Sequence, residues 1–143
     1  MTSVYIPADL RRRVAQQSGG RCRYCLSSEA ISGIPLDIDH VMPSALGGPT
    51  VEGNLCSACS RCNSYKGDRV AARDPESGDL VALFNPCTQD WNDHFEWTES
   101  GERILGKTPT GRATVISLRL NRPLVVNARR SWASVGWHPP KDE

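Results

Sequence analysis

The chain has 143 residues, 38% of them hydrophobic, and 17 Lys and Arg against 16 Asp and Glu, for a formal charge of +1. That length suits one domain with room for an appended lobe, and a core modest enough for a bound metal to add materially to its stability. The longest apolar run, Leu80 to Phe84, is far short of the roughly 20 residues of a membrane-spanning helix. The composition therefore reads as a soluble protein, expected in the cytoplasm.

Along the chain, Pro7-Ala8-Asp9 opens a helix predicted to run to about Gln17, with Gly19-Gly20 to stop it. Arg11-Arg12-Arg13 on that helix, with Arg21 and Arg23 beyond it, form a basic cluster. Such a cluster either grips a phosphate backbone or is simply the polar side of a helix. Leu36 to Val41 alternates as a half-buried strand does, so Ile38 faces one way and Asp37 and Asp39 the other. His40 points away from Asp39 unless the strand bends or ends there, which Pro43 and Gly47-Gly48 favour. A helix is predicted from Arg61 to about Val70, and Asp74 to Asp79 is a turn that closes this first unit.

Leu80 to Phe84, His94 to Thr98 and Arg103 to Gly106 read as short strands, the last two as a hairpin. Thr110 is predicted to cap a helix over Arg112 to Leu120, and Pro123 to begin another reaching Val135. All four Trp residues, at 91, 97, 132 and 137, lie in this second half and are read as core. His94 and His138 are read as packed or surface histidines. The expected class is α+β. Residues 1–73 would form a core with an N-terminal helix, and residues 74–143 an extension of strands and helices packed on it. Residues 1–73 carry nine basic against six acidic side chains, and residues 74–143 eight against ten, so the first half is the better candidate to face a polyanion.

The cysteines carry more information. Cys22/Cys25 and Cys59/Cys62 are two C-x2-C corners, each placing two sulfurs on one tight turn, as structural zinc requires. The gap between the corners exceeds that of ordinary zinc pairs, so a sizeable segment is looped out between them. Disulfides are disfavoured because Met1 to Pro7 shows no basic start followed by an apolar run. Cys56, Cys59 and Cys62 form a C-x2-C-x2-C run with some likeness to an iron–sulfur motif, but no Cys-Pro follows at the expected offset. Cys56 and Cys87 are then left over as small buried side chains.

Cys-x2-Cys, Leu36-Asp37-Ile38-Asp39-His40-Val41-Met42-Pro43, Gly47-Gly48, Asn54-Leu55 and Cys59-x2-Cys62-Asn63 with Lys66-Gly67-Asp68 together resemble an HNH endonuclease of the zinc-knuckle type. The stretch runs from Gly20 through Asp68. Phe84-Asn85-Pro86, His94-Phe95-x-Trp97, Thr108 to Thr114 and Leu120-Asn121-Arg122 also resemble the tail of a prokaryotic group of HNH proteins. The resemblance implies a ββα-metal fold cutting phosphodiester bonds of DNA, expected to be duplex, to leave a 5′-phosphate and a 3′-hydroxyl. It implies His40 as general base on water, with Asp39 and Asn63 holding a catalytic divalent ion. By the same resemblance Asn54 is the middle residue of the motif, expected to brace the loop carrying the base rather than to act directly in catalysis, the alternative role, since an amide is a poor proton carrier.

The third motif position is Asn63 rather than His, which favours a hard, oxygen-ligated ion, Mg2+ or Mn2+. Lys66 and Arg69, beyond Asn63 on the expected helix, are read either as a solvated face or, with Arg23, as contacts to DNA phosphate. The competing reading is a zinc-stabilised module that binds nucleic acid or protein without cutting it. Asp39, His40, Asn54 and Asn63 together argue against that reading, because a scaffold needs only the cysteines.

Overall fold

The computed structural model describes residues 4–141, with Glu99 described by its backbone alone. They divide into two compact units, one reaching Val70 and including Asn85–Gln89, the other comprising Ala71–Phe84 and the chain from Asp90 onward. The division falls at Val70 rather than after Arg73. Asn85–Gln89 return to the first unit, where Arg23 Nη2 donates to the Pro86 carbonyl at 2.6 Å and the Cys87 thiol to the Leu55 carbonyl at 3.4 Å.

In the first unit, α1 (Ala8–Ser18) ends at Gly19, whose φ of 60° is the left-handed conformation expected at a helix stop. Leu10 and Val14, one turn apart on α1, are buried with Ile6 and Leu55, and Ile38 packs against them. β1 (Asp37–His40) pairs antiparallel with β2 (Leu55–Ala58), with Asp39 opposite Cys56 and His40 opposite Leu55. β2 is buried along its whole length, whereas β1 is exposed at Asp37 and buried only at Asp39. A short turn of helix, α2 (Glu29–Ser32), is capped by the Ser28 hydroxyl, which accepts from the Ile31 amide. α3 (Ser60–Lys66) follows β2 directly. It is shorter than the predicted helix because Gly67 takes φ 54°, ψ −132°, which no helix can continue.

The second unit begins with a hairpin of β3 (Ala71–Arg73) and β4 (Leu80–Ala82), a strand pair whose first member the sequence pattern did not reveal. Asp74 organises its turn: its carboxylate accepts from the Glu76 amide at 3.1 Å and the Ser77 hydroxyl at 2.9 Å, and Arg112 meets it with two bonds of 2.9 Å. After α4 (Trp91–His94), β5 (Phe95–Thr98) and β6 (Arg103–Gly106) pair as the predicted hairpin, joined by a 3-10 turn at Glu99–Gly101.

α5 (Pro109–Ser117) starts earlier than predicted. Its cap is Thr108, whose hydroxyl accepts from the Gly111 amide at 3.0 Å, and Pro109 takes the first helical position, where its missing N–H costs nothing. Gly111 is obligatory there: a Cβ would fall 2.1 Å from the His94 carbonyl oxygen. Asn121 pairs both ways with the Ile104 backbone, at 2.7 and 2.8 Å, which accounts for the Leu-Asn-Arg run before α6 (Pro123–Ser134).

The aromatic residues order this unit. Phe84 meets Phe95 edge-on at 5.1 Å, Trp91 lies 5.1 Å from Phe95 and 5.3 Å from Trp97, and the buried Arg129 sits 5.3 Å over Trp97. His138 is buried against Trp97 and bonds the Gly101 carbonyl at 2.8 Å, and His94 bonds the Thr108 hydroxyl at 2.7 Å; both are packed residues. Trp137, read as core, is instead 56% exposed. Among the described residues no helix is long and apolar enough to cross a membrane.

The paired Arg112 guanidinium holds the Asp74 carboxyl well below the usual carboxylate range. A depressed carboxyl stabilises the fold fully above its unfolded value, about 3.9, and loses that contribution as pH falls toward the folded one. Since every Trp lies in this unit, tryptophan fluorescence should show Asp74→Asn melting several degrees lower at pH 7, with the difference shrinking as pH is lowered below about 4.

Candidate active site

The knuckle is built from local backbone turns. Leu26 takes φ 62°, and the amides of Leu26 and Cys25 return to the Cys22 carbonyl and sulfur at 2.9 and 3.5 Å, turning the first corner. Arg21 fixes that corner by donating to the Leu26 carbonyl at 2.9 Å. Cys59 forms the second corner as the N-cap of α3, its sulfur accepting from the Cys62 amide at 3.4 Å. The Arg23 amide bonds the Ser57 carbonyl at 2.9 Å, joining the first corner to β2.

The four ligand sulfurs lie within 4.8 Å of one another, with Cys25 and Cys59 3.7 Å apart. A zinc tetrahedron with bonds of about 2.3 Å has edges of about 3.8 Å, so the four thiols fit structural zinc. Cys56 is outside the cluster, opposite Asp39 in the sheet, and burial pushes its thiol up to about 12; the three-cysteine iron–sulfur alternative is thereby set aside. Hydrogen bonding from Cys22 draws Cys25 well below the usual thiol value and Cys59 down to about 7, whereas burial raises Cys22 and hydrogen bonding to Cys22 raises Cys62. A cation is what would drive the two retained protons off.

β1, α3 and the loop after β1 surround a cleft of 710 Å³ whose lining includes Asp39, His40, Asn63, Asp68 and Arg11. Asp39 is 5% exposed. The Tyr24 hydroxyl donates to its Oδ2 at 2.8 Å, and Lys66 Nζ lies 3.3 Å from Oδ2 and 3.5 Å from Oδ1. Burial raises the Asp39 carboxyl above its ordinary value, against the pull of Lys66 and Tyr24 in the other direction. Burial likewise raises Tyr24, which keeps it a donor.

His40, half-buried at the end of β1, faces Thr50, with Nε2 and the hydroxyl oxygen 2.9 Å apart. The Asn54 side chain clamps the intervening loop: its oxygen accepts from the Met42 amide at 2.8 Å, and its nitrogen donates to the Met42 and Pro49 carbonyls at 3.0 and 2.9 Å. Gly48 permits that clamp, since a Cβ there would lie 1.8 Å from the Met42 carbonyl oxygen.

Asp39, His40 and Asn63 thus line one cleft, while Asn54 bonds to the loop backbone beside it. One sequence reading changes. Lys66 is neither solvated nor on an open face: it is 1% exposed, bound to Asp39 and to the His40 carbonyl at 3.2 Å, because the bend at Gly67 ends α3 with this side chain turned inward. Arg23 is half-buried and donates one guanidinium nitrogen, Nη2, to the Pro86 carbonyl within the first unit. Arg69 is exposed but not part of the cleft lining. Tyr24 and Thr50 were missed. Tyr24 had a signal in its place inside the first corner, while Thr50 meets His40 only through the folded loop.

Residues 22–69 match the family model of the HNH endonucleases and form an HNH endonuclease domain. The chain is also similar to the Septu protein PtuB of Bacillus mycoides (strain KBAB4), 28% identical over 122 residues, a match that covers 68% of the chain. It spans 41% of that protein's length.

Two outcomes follow for this site. Cys62→Ser should lose stoichiometric zinc and the helicity of α3, because binding of structural zinc, on the order of 10 kcal/mol, is folding free energy; metal analysis with circular dichroism reads both. Asn54→Ala should destabilise the first unit by about 1–3 kcal/mol in chemical denaturation, the worth of its three bonds to backbone, with zinc retained.

Proposed function

We propose that the protein is a metal-dependent endonuclease that hydrolyses phosphodiester bonds of duplex DNA, leaving a 5′-phosphate and a 3′-hydroxyl. The observation that carries this reading is the convergence of Asp39, His40 and Asn63 on one cleft. The excess of basic side chains in residues 1–73 favours a polyanionic substrate.

The tautomer of His40 that donates Nε2–H to Thr50 leaves Nδ1 as the proton acceptor. Nδ1 takes the proton of an attacking water, the water oxygen bonds to phosphorus, and the bond to the 3′-oxygen breaks, that oxygen then taking a proton from solvent. Thr50 and the Asn54 clamp hold the imidazole orientation through this step. Asp39 and Asn63 would hold the catalytic cation, and one carboxylate with one amide oxygen is a donor set that suits Mg2+ or Mn2+, which keep several waters. When bound, that ion neutralises charge on the phosphate and stabilises the leaving oxygen.

The retained set of Asp39, His40 and Asn63 favours cutting over a binding-only module. A plasmid-nicking assay tests the choice. His40→Ala, with wild-type zinc content and circular dichroism, should nick at least about 100-fold more slowly, the usual worth of a general base. EDTA should abolish the wild-type activity. Equal rates for wild type and His40→Ala would leave the binding module as the surviving reading.

A further inference from the structure

Lys66 is an ammonium sealed inside the nuclease unit. Its side chain is 2% exposed, and its Nζ lies 3.3 Å from Asp39 Oδ2 and 3.2 Å from the His40 carbonyl oxygen. It therefore ties together, by one charge, the backbone of the proposed base and the carboxylate proposed to hold the cation. Asn63 stands three residues earlier on α3, about one turn away, and lines the cleft with Asp39. Tyr24 already occupies Asp39 Oδ2 with a 2.8 Å bond, leaving Oδ1, 3.5 Å from Lys66, as the less committed oxygen. Any divalent cation on that carboxylate has a fixed unit charge beside it in a partly dry site, where repulsion is only weakly screened.

We propose that Lys66 is a positioning residue that makes cation binding at Asp39 conditional on bound nucleic acid. The inference rests on the reading of Asp39 as a cation ligand. Lys66 competes with a divalent ion for the carboxylate in the free protein. A phosphodiester entering the cleft brings a negative charge that offsets the ammonium, so the carboxylate becomes available to the ion when the substrate is in place. Reciprocity then requires that the ion tighten nucleic acid by the same factor. A lysine in this position serves the site better than an open carboxylate pair, because it disfavours a loaded ion in the absence of substrate while keeping the strand end in register.

Mn2+ binding to zinc-loaded protein, followed by electron paramagnetic resonance at pH 8, tests this directly. The titration is run with and without a phosphorothioate duplex that resists cleavage, and Mn2+ held by the duplex alone is subtracted. In wild type the duplex should tighten Mn2+ at least tenfold. Lys66→Met should bind Mn2+ at least tenfold more tightly than wild type without DNA and gain less than threefold from the duplex, while Lys66→Arg should behave as wild type. A purely structural lysine would weaken the site on removal, so the direction of change separates the two roles.

If Lys66→Met fails to load zinc, Lys66→Gln, which keeps a donor for the His40 carbonyl without the charge, is read in its place. Free Lys66→Met within threefold of wild type, or weaker, overturns the proposal. Asp39→Asn separates this failure from the broader one. Loss of Mn2+ in that variant with no change in Lys66→Met overturns only the coupling, whereas unchanged Mn2+ in Asp39→Asn removes Asp39 as a ligand and the proposed function with it.

Discussion

The first unit depends on four sulfurs meeting at one point. Cys25 and Cys59 are 34 residues apart in sequence and 3.7 Å apart in space, and closing a loop of that length costs entropy that the short β1–β2 pair and the α1 core repay only in part. A cation shared by the four thiols would supply the difference and act on both ends of the insert at once. One corner leads through the Arg23–Ser57 bond onto β2, and the other becomes the cap of α3. A metal there would thereby set the distance between the strand that carries Asp39 and His40 and the helix that carries Asn63.

Within that frame the cleft is held by buried polar bonds rather than by apolar packing. Asp39 is enclosed by a tyrosine from the first corner and a lysine from the end of α3, so its position reports both halves of the knuckle. His40 is set from the other side, by Thr50 on a loop clamped by Asn54 and narrowed by Gly48. Asp39 and His40, neighbours at the end of β1, both line one cleft. Burying a charge pair such as Asp39 with Lys66 is costly unless every member is satisfied, and here Tyr24 and the His40 carbonyl complete the set. Such a network adds little to stability and much to geometry.

The second unit solves a different problem with similar means. Its short strands and helices are fastened by polar side chains: Asp74 paired with Arg112 at the first hairpin, Asn121 bonded to the Ile104 backbone at the second, and Arg129 over the Trp97 ring. These contacts account for the polar residues scattered through a stretch that its apolar pattern alone would leave unexplained.

Much of the frame was legible from residue order. Helix starts at Pro7 and Pro123, the strand at Asp37–His40, the hairpin of β5 and β6 and the pairing of the two cysteine corners all follow from local rules: ring geometry at proline, side-chain alternation, and the bite of C-x2-C turns. The motif likewise singled out Asp39, His40, Asn54 and Asn63. What sequence order could not decide was which polar side chains face which. Lys66 reads as one more cation on a helix, and only the bend at Gly67 turns it inward onto Asp39; Arg23 reads as a phosphate contact, and only the return of Asn85–Gln89 engages it. Thr50 became the partner of His40 through a loop whose shape depends on a missing Cβ at Gly48. Local conformation is governed by neighbours along the chain and is written in them, whereas the partners of a buried charge are chosen by the folded surroundings that must compensate its lost water.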